Sequence, residues 1–206
     1  MRLVTKKPNE NENKPRVLVA EDEALIRLDL VELLTNEGYD VVGQAADGEE
    51  AIDLARELDP DVVIMDVKMP KMDGITAAET ITAERIAAVV MLTAFSQREL
   101  IERAREAGVM AYVVKPFDVS DVVPAIEIAQ ARFAQLVAVE AEAADLEERL
   151  ASRKVVDQAK ALLQEELGMT EAEAFRWIQK TAMDLRKSMR EVAQGVIDHS
   201  RHPKSD

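Results

Sequence analysis

The chain has 206 residues, 48% hydrophobic and 32% charged, with 7 Gly and 7 Pro, a length and composition that support a hydrophobic core and exclude a disulfide-stapled miniprotein or wholesale disorder. It has no cysteine and two histidines, His199 and His202, at the far C-terminus, which excludes a thiolate nucleophile and any Cys-based zinc site. The net charge of −14 conceals a segregation: residues 15–124 carry 10 Lys/Arg against 23 Asp/Glu, while 151–206 carry 10 against 9, so the last block can present a local basic face to a polyanion.

The opening MRLVTKKPNENENKP is charged and lacks an apolar core segment, and no eighteen consecutive apolar residues occur anywhere. The expectation is a flexible tail over 1–15 on an uncleaved cytoplasmic protein without membrane contact, with Arg2, Lys6, Lys7 and Lys14 as solvated charges. Short β-branched runs follow at Val17-Leu18-Val19-Ala20, Val41-Val42, Val62-Val63-Ile64-Met65, Val89-Val90-Met91-Leu92 and Tyr112-Val113-Val114, predicting five buried strands. Between them lie segments with helical spacing, Leu25-Leu28-Leu30-Leu33-Leu34 and Ile52-Leu54-Ala55-Leu58, the second opened by Asp47 as N-cap. Strands alternating with helices imply right-handed crossovers and a parallel sheet covered on both faces. Residues 16–124 therefore read as one doubly wound α/β domain.

From Pro124 to Leu150 there is no Gly or further Pro, which predicts a long linking helix over 125–150. Leu136, Val139, Ala143, Leu146 and Leu150 alternate spacings of three and four. That is either a short coiled-coil seam or the face of a helix lying on its own domain. Beyond it, Val155–Leu167 stops at Gly168, and Thr170-x-x-Glu173 and Ser188-x-x-Glu191 form capping boxes, predicting a small three-helix domain over 151–198 and a tail over 199–206. Trp177, flanked by Ala174, Phe175, Ile178 and Ala182, is expected in its core.

The chemistry gathers at strand ends. The first run is followed by Glu21-Asp22, the third by Asp66, the fourth by Thr93 and the fifth by Lys115-Pro116, and in a doubly wound sheet these ends open into one crevice. Three carboxylates without His or Cys make a hard-oxygen set suited to Mg²⁺. A lysine and a hydroxyl beside them suit an incoming phosphoryl group attacked by a carboxylate.

The segments VLVAEDE, VVIMDVKMPKMDG, MLTA and YVVKPF resemble the receiver domain of bacterial two-component response regulators, over roughly 16–124. The resemblance implies a flavodoxin-like five-stranded fold, Asp66 as phosphoacceptor, Asp22 as a direct Mg²⁺ ligand, Glu21 acting through water, and the Lys68 carbonyl as a further ligand. It implies Thr93 and Tyr112 as the switch pair, Lys115 as the phosphate-binding lysine, and a cis Lys115-Pro116 bond. Glu21 stands where the family often has Asp. A sensor histidine kinase is the implied partner, and Mg²⁺-dependent self-phosphorylation and dephosphorylation the implied chemistry, without enzymatic turnover of an outside substrate.

Farther on, Leu150-x-x-Arg153, Gln158-Ala159-Lys160, Leu162-Leu163, Gly168, Glu173-Ala174-Phe175, Ala182-Met183 and Val192-Ala193 resemble the ANTAR domain, with Ala161 and Gln179 departing from residues common there. That family binds RNA and relieves transcription termination, so the whole chain resembles the phosphorylation-dependent antitermination regulators of actinobacteria. The implied partners are RNA with paired stem-loops and a second copy of the chain on phosphorylation. The candidates for RNA contact are Arg153, Lys154, Lys160, Arg176, Lys180 and Arg190. Two other classes compete. A helix-turn-helix DNA reader would want a Gly-containing turn between the last two helices. An aspartyl-phosphate hydrolase would want a second acid two residues beyond Asp66, where Lys68 stands.

Overall fold

The computed structural model describes residues 14–94 and 98–201; the expected tails, with Arg2, Lys6, Lys7 and His202, lie largely outside the described residues. Five strands, β1 (Arg16–Ala20), β2 (Asp40–Ala45), β3 (Val62–Asp66), β4 (Ala88–Thr93) and β5 (Ala111–Val114), alternate with α1 (Ala24–Asn36), α2 (Gly48–Leu58), α3 (Gly74–Ala83) and α4 (Arg98–Glu106). Three helices follow: α5 (Val119–Leu167), α6 (Glu171–Leu185) and α7 (Met189–Arg201). The five predicted strands are all present, in one parallel sheet of order β2-β1-β3-β4-β5.

Every residue of β3 and β4 is buried, which explains why both are continuous apolar runs up to their last residues, Asp66 and Thr93. One face of the sheet, with Leu18, Val63, Met65, Val89 and Met91, packs against α2, α3 and α4. The other, with Val17, Val19, Ile64, Val90 and Leu92, packs against α1 and the start of α5. In α1 only Leu30 and Leu34 are fully buried, and Leu25 and Leu28 are 78% and 58% exposed. Five leucines are more than one helical stripe can direct at a sheet, so the first two lie outside it.

The expected cap of α2 is present: the Glu50 N–H donates to the Asp47 carboxylate at 2.9 Å. At the start of α3, Gly74 is required by close approach, since a Cβ there would lie 1.9 Å from the Asp66 carbonyl oxygen. Its N–H donates to the Val67 carbonyl at 3.0 Å, fixing the turn after β3.

The chain divides into two compact units, residues 1–137 and 138–206, and α5 contributes to each. Its first turns bury Val122, Ala125, Ile126 and Ala129 in the first core, and Pro124 sits inside the helix. By length and composition α5 also passes as a membrane-crossing helix, but those buried residues account for part of its apolar content. Every side chain from 137 to 151 is exposed, including Val139, Leu146 and Leu150 of the seam, while Leu136 is half-buried.

The expected linking helix and the first helix of the second unit are one continuous element, because nothing in 151–154 breaks the pattern. Its last turns bring Ala159 and Leu163 to a small core with Ala174, Ile178, Ala182, Val192, Ala193 and Ile197. Both capping boxes form: Thr170 with Glu173, and Ser188 with Glu191. Between α6 and α7, Arg186 takes a left-handed conformation at φ 53°. Trp177 is 39% exposed, against expectation. The core stripe of α6 runs Ala174-Ile178-Ala182, and a residue one position before Ile178 falls on the flank of that stripe.

Candidate functional site

The carboxyl ends of β1, β3, β4 and β5 deliver Glu21, Asp66, Thr93 and Lys115 to one end of the first unit. Ligand oxygens of Glu21, Asp22 and Asp66 lie within 4.8 Å of one another. Asp22 is exposed, Glu21 fully buried, and Asp66 7% exposed. The Lys115 ammonium lies 2.5 Å from Glu21 Oε2 and 2.7 Å from Asp66 Oδ1, joining strand ends 94 residues apart.

Burial works against the Lys115 charge, but hydrogen bonds to Asp66 and Glu21 outweigh it and hold the ammonium above its ordinary range. Burial pushes the Glu21 carboxyl up, an effect only partly opposed by Lys115 and increased by the neighbouring Asp66 charge. The longer side chain at Glu21 thus reaches inward to the lysine. Its backbone carbonyl accepts from the Arg27 guanidinium, and its Oε1 accepts from the Glu23 N–H at 3.3 Å. On the other side of Asp66, Oδ2 accepts from the Lys68 N–H at 2.8 Å, which leaves Asp66 oriented by a cation on one oxygen and an amide on the other.

Thr93 is buried at the end of β4. In the parallel register Thr93 pairs with Val114 and Met91 with Tyr112, so Thr93 and Tyr112 project to the same sheet face two positions apart. Tyr112 is 54% exposed. The Lys115-Pro116 bond is cis, as expected, and the Lys115 N–H donates to the Thr93 carbonyl at 2.8 Å.

The structure adds a tie that motif reading did not single out. Asp47 is buried and its second oxygen accepts from Lys71 at 2.5 Å, while the Gly48 N–H donates to the Met72 carbonyl at 3.2 Å. The loop after β3 is therefore pinned to the start of α2. Hydrogen bonds from Glu50 and from Lys71 hold the Asp47 carboxyl below its usual range. The N-cap signal identified Asp47, but its lysine partner is legible only in three dimensions.

In the second unit the six expected RNA-contact residues fall in different settings. Arg153 and Lys154 are exposed on α5, Arg176 and Lys180 on α6, and Arg190 on α7. Lys160 has a side chain only 15% exposed, with its ammonium 2.8 Å from Asp157 and 2.9 Å from Glu171. Those two hydrogen bonds raise it above its ordinary range.

The donor set fits a hard divalent cation: three carboxylates, no nitrogen or sulfur ligand, and one member exposed toward solvent. The half-buried lysine between two of them matches a site prepared for a polyanionic group.

Residues 17–127 match the model of the response regulator receiver domain, and residues 144–197 match that of the ANTAR domain. The chain is 59% identical over 189 residues, 92% of each chain, to the transcriptional regulatory protein PdtaR of Mycobacterium tuberculosis. It is 39% identical over 112 residues to the chemotaxis protein CheY of Thermotoga maritima, covering 54% of this chain and 93% of that one. Among solved structures, the signal receiver domain of NarL from Mycobacterium tuberculosis superposes with a TM-score of 0.55 at 29% identity, over 57% of this chain and 97% of that one. A chain of the CheX-CheY-BeF3-Mg+2 complex of Borrelia burgdorferi gives 0.51 at 32% identity, over 54% and 85%.

Proposed function

The chain belongs to the response-regulator receiver family and carries an ANTAR domain, and from that premise we propose that a sensor histidine kinase phosphorylates Asp66 and that the ANTAR domain then binds structured RNA to prevent transcription termination. In this reading residues 16–124 are the receiver, 125–150 the linking helix and 151–198 the RNA-binding domain, in a cytoplasmic protein. The observation that carries it is Lys115 bridging Glu21 and Asp66 at 2.5 and 2.7 Å at the end of the sheet, in a chain whose other unit matches an ANTAR domain.

Mg²⁺ held by Asp22, Asp66 and the Lys68 carbonyl, with Glu21 acting through water, would supply the charge neutralisation that lets a carboxylate meet a phosphoryl group. An Asp66 oxygen forms the new P–O bond as the P–N bond of the kinase phosphohistidine breaks, and the imidazole leaves with a proton from solvent. Lys115 holds one phosphoryl oxygen. Thr93 follows another by its hydroxyl, and Tyr112 turns inward behind it, which alters the surface around β5. No outside substrate is turned over.

The altered face pairs with a second copy, and the Leu136–Leu150 seam, exposed from Val139 onward, holds the pair together. An RNA with two stem-loops then meets two tethered ANTAR domains, and effective concentration tightens binding by about 10²-fold or more without a new contact. The test is phosphorylation by a small phosphodonor with Mg²⁺. One hydroxylamine-labile phosphoryl group should appear on the chain and vanish in Asp66→Asn, and undiminished label in that variant would overturn the assignment.

A further inference from the structure

Two grooves flank α6 in the second unit, and their chemistry differs. One, of about 520 Å³, has Trp177, Leu167 and Leu185 on its wall, with Glu166 and Glu191 outnumbering Lys187 among its charges. The other, of about 480 Å³, lies among α5, α6 and the start of α7 and is lined by Arg153, Val156, Asp157, Lys160, Phe175 and Arg190. Both have the size of a small-molecule site. Only the second combines an aromatic face with an excess of positive charge.

Phe175 is 42% exposed, and the core does not depend on it, since Ala174, Ile178 and Ala182 form the buried stripe of α6. Asp157, the carboxylate in the lining, is paired with Lys160 at 2.8 Å, and that hydrogen bond holds it below its usual range. Asp157 is shared by two cations, its second oxygen lying 3.9 Å from Arg153 Nε, and Lys160 also meets Glu171 at 2.9 Å. Arg153 on α5 and Arg190 on α7 line the same groove as Phe175, and both are exposed. An exposed aromatic face that shares a groove with two guanidinium groups fits a flat base and its flanking phosphates. A duplex keeps its base faces stacked inward, so the base must come from a loop. The carboxylate excess around Trp177 makes the other groove unfavourable for a polyanion.

We propose that this second groove receives an unpaired base of an RNA loop, stacked on Phe175, with Arg153 and Arg190 on the flanking phosphates. The assignment rests on the RNA-binding reading above and deepens it. Of the six basic candidates, it puts the loop contact on Arg153 and Arg190.

The test uses the full chain, phosphorylated and unphosphorylated, and a hairpin RNA pool with a fixed stem and a randomised loop, compared with the same stem as a blunt duplex. F175L should weaken hairpin binding about tenfold and leave duplex binding unchanged, whereas W177F should change neither. R153Q and R190Q should each lower the slope of log affinity against log salt by about 0.7. Trp177 is the sole tryptophan of the chain, so the double variant F175W/W177F moves the fluorophore into the proposed groove. Hairpin RNA should quench that variant and leave the emission of the native chain unaltered. Hairpin binding undiminished in F175L, or quenching of Trp177 without quenching at position 175, overturns the assignment while leaving RNA binding intact. Absence of any RNA binding by the native chain overturns the RNA reading as well. Should F175L fail to fold by circular dichroism, the emission experiment decides alone.

Discussion

Replacing Gly74 by alanine adds one methyl group against the backbone of Asp66. The new Cβ would stand 1.9 Å from the Asp66 carbonyl oxygen, 3.0 Å from its carbon and 3.1 Å from Met65 Cγ, where real Cβ atoms essentially never come closer than 3.0 Å. The start of α3 must then part from the end of β3 by about 1 Å, against the Gly74 N–H bond to the Val67 carbonyl. Overpacking of this kind costs about 1–3 kcal/mol. The smaller entropy of the unfolded alanine chain returns about 0.4–1 kcal/mol, so the net loss at the centres of the two ranges is about 1.3 kcal/mol. Because the displaced oxygen belongs to Asp66 itself, the variant should also shift its carboxylate against Lys115. Urea unfolding measures the first effect, and the initial rate of phosphorylation by acetyl phosphate with Mg²⁺, at a temperature where both proteins are folded, measures the second. Gly74→Ala with native stability and a native rate would refute the reasoning.

Asp22→Ala should weaken Mg²⁺ binding more than Glu21→Gln, because Asp22 is exposed at the cluster while Glu21 is buried against Lys115; amide shifts of the first unit during a Mg²⁺ titration would compare them, and equal effects would contradict the assignment of the direct ligand. Lys115→Met removes the cation between two buried carboxylates and should cost about 3 kcal/mol at neutral pH without Mg²⁺. The Glu21 carboxyl is raised by burial, so above its unfolded value the native state binds more protons than the unfolded chain, and lowering the pH toward that value should recover part of the loss, as should added Mg²⁺. A deficit indifferent to both would rule this out. Asp47 has its folded value depressed by Glu50 and Lys71, so its contribution is present above the unfolded carboxylate value and lost as pH falls through the folded one. Asp47→Ala should be less stable at neutral pH and have a flatter acid limb, read from urea midpoints, and unchanged pH dependence would contradict it.

The parts of the molecule legible in the sequence are those where a short stretch decides its own fate. The runs Val62–Met65 and Val89–Leu92 are buried on both faces and carry no polar residue to blur the reading. Asp47, Thr170 and Ser188 each cap a helix three residues on, a local geometry that spacing alone reveals. The strand-end rule alone puts Glu21, Asp66, Thr93 and Lys115 at one end of the sheet. What sequence could not supply depends on neighbours distant in the chain. Lys71 meets Asp47, and Lys160 meets Glu171, only through the turns between elements. Trp177 looked like a core residue because its flanks are apolar, yet a stripe of two alanines and an isoleucine closes the small core without it. Leu25 and Leu28 failed in the same way: periodicity counts apolar positions, whereas the sheet admits only those on one stripe.

The central claim is that a phosphoryl group on Asp66 reaches RNA through dimerisation of the chain. Sedimentation and titration with a two-hairpin RNA, made on the same samples of native protein and Asp66→Asn with and without phosphodonor, test it directly. The account predicts that only the phosphorylated native chain shifts from monomer to dimer and that its RNA affinity rises by about 10²-fold with that shift. A phosphorylated chain that binds the two-hairpin RNA tightly while sedimenting as a monomer would contradict it.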